Sequence, residues 1–358
     1  MKSILKVLLL VVLFMLIAYT SPLYTKDKST ALFQTYDAKQ GDLKMKVASK
    51  ETALKYDEDK SIAKYIGKPY ATIEKKYGKA DRVEQTAYEY EEYVFTKGVQ
   101  GYMTVGVLAD RVVRINVVGN KLEINPFEIG MPVETIMNRY AMESEIIVNS
   151  SYGKYQLSLS EDDLYTRPLI KLAPNRYAQL TIDSNARELF AVSFMDSDTL
   201  VKLHPYESVY EGELYEVPKL SDEKWRQINA GMNSDIVDLT NIYRTKRGLS
   251  TLVENKKIGQ AASAHSKDMH ENEFFSHDSA TKGDLAKRMT VSELVFEEVE
   301  ENIAANYVDG AATFAAWLSS ASHRQTLELE NANVMGVGSF QFYTTQIIGY
   351  VAEVTDPS

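Results

Sequence analysis

The sequence predicts an α+β protein in two folded parts: a duplicated helix-plus-hairpin α+β domain, then a layered α–β–α sandwich. Three observations carry this. A Gly-x-Pro turn followed by a short amphipathic helix occurs twice, offset by 63 residues (Gly67-Lys68-Pro69 and Gly130-Met131-Pro132). Residue usage changes near position 217: only four of 23 tyrosines lie beyond it, with both tryptophans and four of five histidines, and residues 219–356 contain no proline. Beyond that point, helical periodicity precedes and separates strand-like alternation.

The first 23 residues read as a signal peptide or membrane anchor. Lys2 and Lys6 lead into the apolar run Val7–Ala18, which is short for a span needing about 20 apolar residues. Export follows; cleavage stays open, since no Ala-x-Ala site is present. Residues 24–60 are Lys/Asp/Ser/Thr-rich and read as a polar stalk. The chain has no cysteine, which excludes disulfides, thiolate chemistry and Cys-ligated metals and fits a bacterial surface better than a eukaryotic secretory route. The net charge is −10 and no basic block stands out, so nucleic acid is excluded as a partner.

Residues 61–203 hold the duplication. Ile66, Gly67, Pro69, Ile73 and Tyr77 correspond to Ile129, Gly130, Pro132, Ile136 and Tyr140. Each turn starts a helix with apolar residues four apart, and strand-like runs follow: Tyr102–Val107 and Val112–Val118, then Gln179–Ile182 and Leu189–Phe194. The acidic run Glu89–Glu92 reads as a solvated strand face, and the domain as an interaction or spacer unit. Residues 204–224 read as a linker between separate folds.

From 225 to 354 the elements follow in order. Ile228, Met232, Ile236, Leu239 and Tyr243 form one helical face, stopped at Arg247-Gly248. Ile258, Ala262, His265 and Met269 form a second, which places His265 in the core. A third helix spans Ala311–Ser320 with Phe314 and Trp317 inward, and Val334–Phe340 and Gln346–Val354 alternate like strands.

Within this part the chain resembles the CAP superfamily, also called the SCP-like extracellular domain. The resemblance rests on Asn241-x-x-Arg244; Ala262-x-x-His265; Phe275-Ser276-His277; Glu301-Asn302-Ile303-Ala304; Trp317-x-x-Ser320-x-x-His323-Arg324; Gly336-Val337-Gly338; and Tyr343-Thr344-Thr345-Gln346, in the family's order. The duplicated region is similar to the CAP-associated N-terminal domain of spore-forming Gram-positive bacteria. The resemblance implies a cleft lined by His277, Glu301 and His323, with Ser320 where many members carry a second acid. Asn241, Arg244, Asn302 and Trp317 are expected to be structural, Asn302 at a turn or helix start. Glu300 sits beside Glu301 on an extended segment and should point away from the cleft.

His277, His323 and Glu301 are also three potential ligands, so zinc or another divalent metal enters as an option rather than a requirement. No activated nucleophile accompanies them. The expected function is a non-catalytic extracellular binding module, secreted or anchored to the outer face of the cytoplasmic membrane. Its partner would be an envelope component, lipid or peptide, with membrane contact through the N-terminal segment if uncleaved. The alternatives are a metal-dependent, protease-like hydrolase with Glu301 as base, or a structural envelope protein with a vestigial cleft.

Overall fold

The computed structural model describes residues 56–352, apart from 98–100, 120–121, 141 and 293. The expected export segment and all but the end of the expected stalk lie outside the described residues. That end is already part of the fold: Tyr56 packs on the first core and Glu58–Lys60 forms a 3-10 turn.

The two Gly-x-Pro turns are structural equivalents. Gly67 and Gly130 have φ of +83° and +88°, a backbone region that favours glycine. The Gly67 N–H donates to the Val112 carbonyl at 2.7 Å, and the Gly130 N–H to that of Leu189 at 2.8 Å. Return bonds run from the Val112 N–H to Lys68 (2.9 Å) and from the Leu189 N–H to Met131 (2.9 Å). Each turn thus staples a short helix, α1 (Ala71–Tyr77) or α2 (Val133–Arg139), to the start of a strand, and buries Ile73 or Ile136 completely.

Those strands are β4 (Arg111–Val118) and β9 (Glu188–Met195). With β1 (Arg82–Gln85), β2 (Glu91–Phe95), β3 (Tyr102–Leu108), β7 (Leu169–Ala173) and β8 (Arg176–Asp183) they form one antiparallel sheet of order β1-β2-β3-β4-β9-β8-β7. The two repeats meet along the central β4–β9 pair, with Ile115 opposite Phe194 and Val117 opposite Val192. Met103, Val105, Ile115, Val117 and Phe194 face the helices and form the first core.

The second repeat carries an insertion: β5 (Glu145–Ser150), β6 (Gly153–Ser158) and helix α3 (Glu161–Thr166), which Ser160 and Asp163 cap reciprocally. After helix α4 (Ser197–Leu203), strand β10 (Glu207–Gly212) pairs with β6 in a second sheet, β10-β6-β5. The expected linker is therefore corrected. Its first half is a paired strand, and Tyr215, Val217 and Leu220 in its second half pack on a core cluster.

The C-terminal domain has helix α5 (Asp222–Lys246), strand β11 (Val253–Glu254), helices α6 (Lys256–Glu271) and α7 (Leu285–Met289), and strand β12 (Phe296–Ala305). Helices α8 (Gly310–Ser319) and α9 (Ala321–Leu327) and strands β13 (Val334–Phe340) and β14 (Tyr343–Val351) complete it. The sheet order is β11-β13-β14-β12. Ile258, Ala262, Val334 and Ile347 fill the α6 side, while Ile236, Leu239, Phe314, Trp317, Met335 and Ile348 fill the α5/α8 side. This is the expected α–β–α sandwich. A Cβ on Gly338 would lie 2.0 Å from the Ser263 nitrogen, so only glycine lets α6 approach β13 this closely.

The two domains are not separate folds. Val94, Tyr102, Val118 and Phe190, on the far face of the large sheet, belong to the same apolar cluster as Ile236, Leu239, Tyr243 and Phe314. Side chains alternate across a strand, so every second residue of β1–β4 also faces the C-terminal domain. Among these are Glu84, Glu92, Thr104, Arg114 and Asn116, all buried. Glu92, expected on a solvated face, is only 3% exposed.

A candidate ligand cleft built on a buried ion pair

Strand β12 presents Glu301 and Asn302 as consecutive buried residues, while Glu300 is exposed. The Glu301 side chain is 2% exposed and receives a two-pronged contact from Arg288 on α7. Arg288 Nη1 donates to Oε2 at 2.8 Å and Nη2 to Oε1 at 2.9 Å. Nη2 also donates to the His277 carbonyl at 2.9 Å. His277 Nδ1 lies 2.9 Å from Glu301 Oε1, and its side chain is 55% exposed. The imidazole is thus tethered at one nitrogen and open at the other.

His265 supports this arrangement from below. It is fully buried on α6, as its periodicity implied, and its Nε2 contacts the Ser276 carbonyl at 3.0 Å, next to His277. The same nitrogen is 4.0 Å from Glu301 Oε1. Burial pushes the His265 pKa down. Burial also acts to raise that of Glu301, but hydrogen bonds from His277 and Arg288 outweigh it and hold the carboxylate below its usual range.

His323 sits half-buried on α9. Burial, with a smaller contribution from the charge of nearby His277, pushes its pKa down to about 4, so it is neutral at physiological pH. Its buried Nδ1 has no hydrogen-bond partner. Ser320 occupies the N-cap position of α9 without a side-chain cap bond; its Oγ lies 3.2 Å from Ser322 Oγ. Asn302 was expected at a turn or helix start; instead it lies mid-strand, fully buried, its Nδ2 donating to the His323 carbonyl and to Gln346 Oε1, both at 3.2 Å. It joins the strand of Glu301 to the helix of His323.

The remaining motif residues hold the frame. Trp317 Nε1 donates to the Ile303 carbonyl at 3.0 Å, fixing α8 against β12. Arg244, fully buried, donates to the carbonyls of Ser250 (2.8 Å), Leu327 (2.8 Å) and Leu329 (3.0 Å), which seats the end of α9. Asn241 pairs with both backbone groups of Leu252, at 3.1 and 2.8 Å.

Sequence reasoning missed Arg288. Beside Lys287 it looks like any exposed cation, and its burial follows only from the docking of α7 over β12. Its presence changes what Glu301 can do. Among the described residues no three His, Asp or Glu side chains form a group able to hold a metal ion. Glu301, read as a third ligand, has both oxygens engaged by Arg288. What Glu301 does in this arrangement is orient the His277 imidazole from behind, at Nδ1.

An α–β–α sandwich in which Glu301 holds His277, and Asn302 beside it holds the backbone of His323, matches a CAP-type domain, and the comparisons agree. The sequence matches the cysteine-rich secretory protein family (CAP) over residues 237–350 and the CAP-associated N-terminal family over 66–206. It is 36% identical over 285 residues to the Bacillus subtilis (strain 168) membrane protein YlbC, covering 80% of this chain and 82% of that one. An extracellular SCP-domain protein from Bacillus anthracis superposes with a TM-score of 0.77 at 32% identity, covering 85% of this chain and 99% of that one. A cysteine-rich secretory protein from Staphylococcus aureus shares the fold, with a TM-score of 0.74 at 24% identity over 83% of this chain and 94% of that one. The chain therefore belongs to the CAP family and carries a CAP-associated N-terminal domain. It does so without a single cysteine.

Proposed function

We propose that this chain is an exported CAP protein, secreted or held at the outer face of the cytoplasmic membrane, that binds a lipid or peptide envelope component without transforming it. The binding site is the cleft of His277, Glu301, Ser320 and His323. The observation that carries this reading is the state of Glu301. A general base needs a free lone pair within reach of its ligand and a pKa near the working pH. Glu301 is buried, doubly engaged by Arg288 and held below the usual carboxylate range. It is suited to orienting His277 and poorly suited to taking a proton from a substrate. His277 and His323 are left as the groups that meet a ligand. Zinc is not required by this reading; the two imidazoles are the donors that would hold it.

The test is binding of the full-length chain to purified cell-wall sacculi, lipid vesicles and cell-wall peptides, beside His277→Ala and His323→Ala, with zinc titrated into metal-stripped protein in parallel. The reading expects one envelope fraction to bind, both variants to lose at least tenfold in affinity, and thermal midpoints to hold. Turnover of that component, abolished by Glu301→Gln in a folded protein, would overturn it in favour of a hydrolase.

A further inference from the structure

The interface between the two domains holds more carboxyl groups than it can neutralise. Arg82 on β1 serves three of them. Its Nε donates to Glu84, its Nη2 to Asp235 at 3.0 Å, and its Nη1 meets Asp238 at 2.7 Å. Asp235 and Asp238 project from α5, so this guanidinium bridges the domains. Tyr102 on β3 adds a hydroxyl donated to Asp235. Beside this group, Arg114 on β4 donates to Asp309, the N-cap of α8, and to the Tyr90 hydroxyl (3.2 Å), and lies 3.9 Å from Glu92. Glu92 accepts from Thr104 (2.9 Å) and Asn116 (3.2 Å). Five carboxyls therefore face two guanidiniums, and four of the five are buried.

Within this group Glu84 and Asp235, both buried, are held on neighbouring nitrogens of the one Arg82 guanidinium, Nε and Nη2. Two buried carboxylates sharing a guanidinium that Asp238 also claims repel one another, and a proton on one of them relieves that repulsion. Their approach is built in. Gly231 of α5 lies directly over Glu84, where a Cβ would come within 3.0 Å of the Glu84 Cβ, and a Cβ on Gly310 would come within 2.7 Å of the Asp235 Cβ. At the first point α5 packs directly on β1, and at the second α8 packs directly on α5 beside Asp235.

We propose that Glu84 and Asp235 share one proton, and that this proton clasps the first helix of the CAP domain onto the N-terminal sheet, so that the docked form weakens as the solution turns alkaline. The N-terminal domain then has a definite role: it completes the apolar core of the CAP domain and closes over it through an acid-stabilised joint.

Burial raises both carboxyls above their usual range, consistent with the shared proton. The unfolded chain has released that proton above about pH 4, whereas the folded one retains it. Stability from the pair is therefore complete at low pH and is lost as pH rises through the folded-state value. Burial also raises Glu92, to about 8, which makes it the competing holder of a proton.

The experiment uses the full-length chain. Because the protein has no cysteine, one label can be placed in each domain through Glu145→Cys and Lys256→Cys, both exposed positions. Interdomain distance by pulsed electron resonance and the thermal midpoint are followed from pH 6 to 9.5. The midpoint of the parent is expected to fall by roughly 5 °C more than that of Glu84→Gln or Asp235→Asn, in which an amide replaces the shared proton. Its interdomain distance distribution should broaden at high pH while theirs stay narrow. Equal slopes in parent and both variants would overturn the proposal. Flattening in Glu92→Gln alone would overturn it too, by placing the proton on Glu92. If one amide variant fails to fold, the other decides.

Discussion

The cleft and the domain joint are both buried clusters of carboxyl and guanidinium groups, and they behave in opposite ways. In the cleft one carboxylate, Glu301, has a guanidinium to itself and an imidazole besides, so its charged form is favoured. At the joint, Arg82 is divided among Glu84, Asp235 and Asp238, and the neutral form of the pair is favoured. Burial is severe at both; the ratio of donors to acceptors decides which effect wins. The cleft is therefore an ion pair stable through neutral pH, and the joint a proton store that alkali can empty.

The sharpest way to break this contrast is Arg288→Met. It leaves Glu301 buried without its counter-charge, an expected loss of about 3–5 kcal/mol in denaturant unfolding at pH 7. A loss below about 1 kcal/mol would show that Glu301 does not depend on its guanidinium. Arg114→Met tests the other side. Glu92 is already poised to hold a proton, so the expected cost is about 3 kcal/mol at pH 8 and clearly less at pH 5. The same change of pH should alter the Arg288→Met cost much less, and equal pH dependence in the two variants would erase the distinction.

His323 gives an intermediate effect with the opposite sign to the joint. Its folded pKa of about 4 lies below the ordinary value, so the unfolded chain takes up the proton first as pH falls. The stability tied to neutral His323 is complete above about pH 6.5 and is lost toward pH 4, on the order of 2 kcal/mol after discounting for its partial exposure. His323→Gln should flatten that acid limb, as measured by unfolding midpoints at pH 7.5 and 4.5. The smallest effect is expected for Asn241→Ala, which removes two backbone bonds to Leu252 and should cost about 1–2 kcal/mol without changing cleft binding.

Several features were legible in the sequence for identifiable reasons. The Gly-x-Pro repeat survives as a motif because a left-handed glycine and a stapled helix start leave few alternatives. The apolar face of α5 shows its period because Ile228, Met232, Ile236, Leu239 and Tyr243 all turn inward. The inward placement of His265 follows from the same periodicity on α6. What escaped were groups whose burial depends on a distant segment. Arg288 and Glu92 have the local surroundings of surface residues, and each is enclosed by a different part of the chain. The strand β10 was concealed in the same way: its residues are mostly exposed, Val209 and Tyr210 among them, and only pairing with β6 makes it a strand.

By itself, then, the sequence determined the α+β class, the duplication and the order of elements in the sandwich. These rest on periodicity and on local backbone preference, which act over a few residues and are written in contiguous stretches. Only the tertiary structure decided that the two domains share a core, that Glu301 belongs to Arg288 and that Glu84 and Asp235 divide Arg82 between them. Those outcomes depend on which polar groups are jointly withdrawn from water. The electrostatics of a buried carboxyl are set by neighbours that can lie 150 residues away, as Arg82 and Asp235 do.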